Sequence, residues 1–333
     1  ANNMIDDFVE ANCTGSAPSK NWTITNNRYL GNINYPSGSS EGRFVGITSV
    51  ANVVISNNIV EKSNGDSAIH LEDSLGDIII SNNVFDNIIC SLGNNGYIYV
   101  LNSAENTIVA NNIFKRTDTS LATAYAYSCW SNYYGDEVLF INNKILGNGS
   151  VKNLGGLSIS FNGSLGMKIS NNYFYELTNA VIFTNITNVS FTDNTCYNCN
   201  NGFFLNVTPT SEGGSNVNIL DNIFIGTIGY DIKTGANTNG TFPPRYWNIM
   251  GNRISKAIYF QDYAAGGINN CIGIISNNIF NVGATYSVAG AGGRTQMINN
   301  FFMDDVVYAP KSSLLNCAND SIAAAAGIPI GGM

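Results

Sequence analysis

The chain has 333 residues, 44% of them hydrophobic and only 11% charged, with a net charge of −8. Its fifteen Lys and Arg residues form no cluster, which excludes a phosphate-binding face and with it nucleic acid as a partner. No apolar run reaches the roughly 18 to 20 residues that span a bilayer, and the first residues do not read as a signal peptide.

Asn makes up about a sixth of the sequence, far above ordinary usage. Asn competes with the helical backbone for hydrogen bonds, so this richness argues against an α fold. In chain order, FVEANC (8–13) reads as an incoming strand with no cap before it. From ITNNRYL onward a short apolar run ends eleven times in a polar pair, and apolar residues resume at once. The second residues of these pairs are Asn27, Asn58, Asn83, Asn112, Asn143, Asn172, Asn194, Asn222, Asn252, Asn278 and Asn300. Their spacings are 31, 25, 29, 31, 29, 22, 28, 30, 26 and 22 residues. One fixed corner with an elastic remainder is the pattern of a solenoid. The shortest step suits one bare coil of a parallel β-helix, and the surplus in longer steps goes into loops.

Between corners the alternation is that of strands. In SAIHLEDS, Ile69 and Leu71 share one face and leave His70 and Glu72 on the other. Parallel stacking then sets equivalent residues about 4.8 Å apart, with Ile, Val, Leu and Phe columns inside. The corner Asn accepts positive φ and stacks its amide on the next coil. A helical solenoid fails, because outside 317–326 no stretch combines helical periodicity with helical propensity. In that stretch, Asp320 or Ser321 caps a short Ala-rich helix that Gly327 and Pro329 end.

This pattern resembles the right-handed, single-stranded parallel β-helix of pectate-lyase-like proteins and phage tailspikes. The resemblance covers residues 8 to 305 and implies an all-β solenoid of about eleven coils. The tail, SIAAAAGIPIGGM, is similar to Ala-rich segments near the carboxyl ends of phage tail and head-fibre proteins. The expected division is a β-helix over 1–305 and a tail over 306–333 for trimerisation or fibre connection. The resemblance implies a homotrimer on the virion tail or outside the cell. Its implied partners are host surface polysaccharide (capsule or lipopolysaccharide) and other tail proteins. A polysaccharide lyase or epimerase and a non-catalytic adhesin share the fold.

Levelling Asn83, Asn112 and Asn143 places His70, Tyr99 and Trp130 in one outward column. It also sets Glu72 with Asn132, Asp73 with Tyr133, Glu105 with Asp136, and Asp77 with Asn106 and Glu137. The insertion at 124–137 adds Tyr134 to these aromatics. Aromatic rings suit the apolar faces of sugars, and Asn and carboxylates suit their hydroxyls. The expected binding residues are His70, Asp73, Tyr99, Trp130, Asn132, Tyr133 and Tyr134. For hydrolysis, two carboxyls about 5 to 5.5 Å or about 6.5 to 9.5 Å apart are needed. Glu72, Glu105, Asp136 and Glu137 are the candidates, with His70 expected to be an exposed ladder residue. Basic residues on these coils are sparse, which disfavours a lyase.

PPRYW (243–247) with Tyr259, Asp262 and Tyr263 forms a reserve aromatic cluster, expected to be a loop packed on the stack. Seven cysteines show no framework, and Cys196-x-x-Cys199 lacks a second pair or a nearby His. They read as small apolar fillers, so no metal and no cofactor are expected. Nine N-x-S/T sequons are what so much Asn, Ser and Thr supplies by chance.

Overall fold

The two residues of each corner carry different loads. The first (Asn26, Asn57, Asn82, Asn111, Asn142, Asn171, Asp193, Asp221, Gly251, Asn277, Asn299) lies at φ between 52° and 71°. Left-handed backbone strains most L-residues, and Asn, Asp and Gly bear it best, so the position varies among those three types. The second residue is Asn every time, and its side chain turns inward. In the computed structural model, Asn58 donates its backbone N–H and one Nδ2–H to Asn83 Oδ1, both at 2.9 Å. Its other Nδ2–H donates to the Ile24 carbonyl at 3.0 Å. Its own Oδ1 accepts the N–H and Nδ2–H of Asn27 at 2.9 and 3.0 Å.

The same double bond repeats from coil to coil as far as Asn300. Each buried amide therefore has all of its hydrogen-bonding capacity used, which is what a polar group in a core requires. Aspartate in this position would lack both donors. The first residue bends the chain and the second ties the coils together.

The structure describes residues 3–5, 9–12, 19–31, 42–63, 65–74, 76–90, 96–104, 106–131, 137–161, 166–184, 186–207, 216–236, 245–261, 271–289 and 295–303. The Ala-rich helix and tail expected over 306–333 lie outside these residues. The described strands form three parallel sheets of 12, 11 and 11 strands, here sheets A, B and C. Along the chain each coil runs through sheet B, then sheet C, the Asn corner, sheet A, and back to sheet B. The chain is an all-β parallel solenoid with no helix among the described residues, so none there is long and apolar enough to cross a membrane.

Sheet A has one strand more than the corner count predicts. Asn3–Ile5 pairs in register with Asn27–Tyr29 and is the added strand. A second bend, four residues after the ladder Asn, again uses positive φ, at Lys62, Asn87, Glu176, Asn198 and Gly226.

The pleat puts alternate side chains inside, as in Val53 and Ile55 flanking the outward Val54. Stacked aromatics thicken the core: Phe85 on Phe114 at 5.1 Å, Phe114 on Phe140 at 6.2 Å, and Phe174 on Phe191 at 6.1 Å. Where the chain turns into sheet B the inner column must be small. A Cβ on Gly202 would lie 2.4 Å from both the Asp231 carbonyl and the Phe224 ring.

Asn143→Ala tests the ladder. It orphans the N–H and Nδ2–H of Asn112 and the Val109 carbonyl. Buried orphans cost about 1 to 3 kcal/mol each, so a loss of about 2 to 5 kcal/mol is expected by denaturant unfolding. Asn142→Ala, changing only the exposed bend, should cost about 1 kcal/mol. Equal losses for the two variants would refute this division of roles.

Candidate functional site

Sheet B carries the single His on its outer face. Strand Ile69–Ser74 alternates, so Ile69 and Leu71 are buried in the core while His70 and Glu72 point away from it. Its register with Gly96–Ala104 pairs His70 with Tyr99 and Glu72 with Leu101. On the other side, Gly46 pairs with His70. The His70 ring meets Tyr99 edge-on, with centroids 5.2 Å apart at 70°.

Contrary to the expected exposed ladder residue, His70 is only 5% exposed. Beside it stands a polar wall of Arg43 from the preceding coil with Asp66 and Ser67 from its own. Arg43, just before strand Val45–Thr48, makes a two-pronged bond from Nε and Nη2 to the Asp66 carboxylate. Ser67 Oγ donates to Asp66 Oδ1 at 3.1 Å. His70 Nδ1 lies 3.5 Å from Asp66 Oδ2, and Nε2 lies 3.6 Å from Glu72 Oε2. Both distances are long for hydrogen bonds, and neither ring nitrogen has such a partner. The imidazole thus sits between two carboxylates on opposite edges.

Burial pushes the Asp66 carboxyl up, but the Arg43 guanidinium bonded to it and the His70 ring beside it outweigh burial and hold it well below the usual carboxylate range. Burial, with Asp66, Cys129 and Glu72 nearby, raises the Tyr99 phenol. Tyr99 therefore stays a neutral donor across the physiological range. Arg43 and Asp66 were not among the residues singled out from sequence. The available signal was a cation just before one strand and an acid just before the strand of the next coil.

Counting from the corners misplaces one residue. Tyr99 pairs with Ser128, and Trp130 pairs with Leu101, two positions from its expected place beside Tyr99. The step from Asn112 to Asn143 is two residues longer than the step before it, 31 against 29. Those two residues lie between the sheet B and sheet C strands, where corner counting cannot see them. Trp130 is thus level in register with Leu101 and Glu72. Of the other expected site residues, Glu105, Asn132, Tyr133, Tyr134 and Asp136 lie outside the described residues. Asp73 is described and lies near the end of strand Ile69–Ser74 of sheet B, at a positive φ of 47°.

The adjacent face of sheet C does bring two acids together. Asp77, Asn106 and Glu137 come from three successive coils and line one open groove of about 380 Å³. Ile79, Ile108 and Leu139 supply its apolar floor. Thr107 pairs with both Ile78 and Val138, so the three polar residues before these positions stack level. Asp77 and Glu137 are two coils apart, which is about 9.6 Å at the normal strand spacing.

The reserve cluster is not a loop where it is described. Arg245–Met250 is a strand of sheet C, with Trp247 turned into the core and Tyr246 outward at 51% exposure. Tyr246 borders a second groove of about 470 Å³ with Asn216, Asn218, Asn248, Met250 and Ile274.

Among the described residues no three His, Cys, Asp or Glu side chains converge as metal ligands. Cys196 and Cys199 are fully buried, and burial pushes their thiols up, Cys199 to about 12. Neither is a nucleophile in this state.

No family model matches the chain, and no curated protein matches it. Two solved structures resemble it in backbone course. One is PfbA, a surface adhesin of Streptococcus pneumoniae, at 10% identity and a TM-score of 0.29, covering 86% of this chain and 69% of that one. The other is tailspike protein 3 of bacteriophage CBA120, at 10% identity and a TM-score of 0.24. That match covers 92% of this chain, which spans 55% of the tailspike's length. At such scores neither likeness carries an argument about what this chain does.

Proposed function

We propose that this protein is a polysaccharide-binding β-solenoid of the tailspike kind, working on a virion tail or another surface outside the cell. The glycan lies along the outer faces of sheets B and C, on the coils from Asp66 to Glu137. One observation carries the reading: two carboxylates and an amide from successive coils line a single groove with an apolar floor. Sugars need that combination, because their hydroxyls seek charged or amide partners and their ring faces seek apolar surface. Tyr99, set against the buried His70, extends the surface onto sheet B.

Within this reading Asp77 and Glu137 are the hydrolytic pair. Their separation of about two coils suits an inverting mechanism, in which one acid protonates the leaving oxygen and the other activates water. Homotrimeric assembly and attachment to other tail proteins complete the proposal; light scattering that returned a monomer would remove both. Binding without cleavage is the second reading. Asp77 and Glu137 are both exposed, whereas a general acid is usually raised into range by burial.

Incubation with purified capsule or lipopolysaccharide, followed by reducing-end appearance, separates these readings. Asp77→Asn and Glu137→Gln should each cut turnover at least about 100-fold and leave binding intact. Unchanged turnover in both variants would exclude the pair, and a rise in unsaturated-uronate absorbance would indicate a lyase instead. Tyr99→Ala should weaken glycan binding about threefold to tenfold; an unchanged affinity would take sheet B out of the site.

The Arg43–Asp66 contact gives the site a defined acid limit. The Asp66 carboxyl is held below its unfolded value, so its contribution is complete above about pH 4 and fades only at lower pH. The difference in Tm between wild type and Asp66→Asn should therefore be constant from about pH 7 to 5 and shrink below about pH 4. A difference that vanished between pH 7 and 5 would contradict the contact.

A further inference from the structure

The outer column of sheet B changes character along the solenoid. After His70 and Tyr99 come the small Ser128 and Ser158, then Ile182, Phe204, Lys233, Tyr259 and Ser287. Lys233 is the one cation in this run. Its Nζ lies 5.0 Å from the Phe204 ring centroid and 5.0 Å from the Tyr230 ring centroid. Tyr230 in turn meets Tyr259, with centroids 5.4 Å apart. Phe204, Tyr230, Lys233 and Tyr259 are all half-buried, so each keeps a face open to solvent.

Aromatic faces attract a cation through the ring quadrupole, yet they give its N–H groups no acceptor. No carboxylate lies within ion-pair distance of Lys233 among the described residues. Asp231, two residues away, is fully buried and bonded to the turn of the next coil instead. Its oxygens accept from Ser255 N at 2.7 Å, Ser255 Oγ at 3.1 Å and Lys256 N at 2.5 Å. It fixes the turn leading into the Tyr259 strand and leaves the lysine's charge uncompensated.

We infer that Phe204, Tyr230, Lys233 and Tyr259 form a subsite for an acidic sugar, a uronic or sialic acid residue of a glycan. The carboxylate takes the lysine's free N–H donors, and the sugar's apolar face lies on the Tyr230 and Tyr259 rings. Lys233 is five coils from Tyr99, about 24 Å at the strand spacing, so this is a separate contact from the Asp77–Glu137 groove. The two assignments stand or fall independently.

The test is calorimetric titration with oligogalacturonate, its methyl ester, and α2,8-linked oligosialic acid. Wild type should bind both acids and lose about tenfold or more on the ester, which has the same rings without the charge. Lys233→Met should lose the same factor on the acids and bind acid and ester alike. Lys233→Arg should retain the preference, because guanidinium also sits on aromatic faces. Lys144→Met, at an exposed sheet A lysine outside both contacts, should leave this preference untouched, and turnover, read separately, reports the groove. Equal wild-type binding of acid and ester, no binding of either acid, or an unaltered preference in Lys233→Met would each overturn the inference. The acid-ester comparison in wild type holds even if a variant does not fold.

Discussion

A buried amide is costly unless all of its donors and acceptors are used, and the Asn ladder meets that condition by repetition. Each side chain completes the one below it and is completed by the one above, as Asn58 does between Asn27 and Asn83. The constraint is strict: carboxylates lack the donors, and apolar residues would strand the backbone N–H and carbonyl that the amide serves. The ladder also fixes register, since a slipped coil would leave an amide without its partner. The parallel pairing of all three sheets depends on that register.

What the ladder does not constrain is the distance travelled between corners. Coils here vary by up to nine residues in length, from 22 to 31, and the surplus leaves the stack between sheets. The residues of the proposed site gather at one of these turns. The groove of Asp77, Asn106 and Glu137 opens just after the turn from sheet B to sheet C, and His70, Glu72 and Tyr99 precede the same turn. A rigid stack with elastic turns thus supplies both precision and variety, and the outward columns repeat at a spacing suited to an extended polymer. The outer face of sheet B uses this twice, with acids around His70 and an amine among rings around Lys233.

Legibility followed the same division. Because the corners are periodic, the solenoid, the inward columns and the pairing of His70 with Tyr99 could be read directly from spacing. The added sheet A strand Asn3–Ile5 is not legible from corner counting, because it is short and precedes the first apolar-run corner of the pattern. Trp130 was misplaced by two residues because the added residues fall between the ruler's marks. The PPRYW segment was taken for a loop, since its two prolines masked the alternation in which Trp247 points in and Tyr246 points out.

The sequence by itself determined the coil, its corners and the identity of the core faces, because these depend on local backbone preference and on a period. Only the tertiary structure decided which polar groups meet. That Arg43 bonds to Asp66, that Asp66 in turn stands beside His70, and that Lys233 finds two rings and no acid are matters of side-chain direction between neighbouring coils. Strand periodicity fixes the face a residue occupies. The contacts it makes there depend on turns whose lengths the period leaves free.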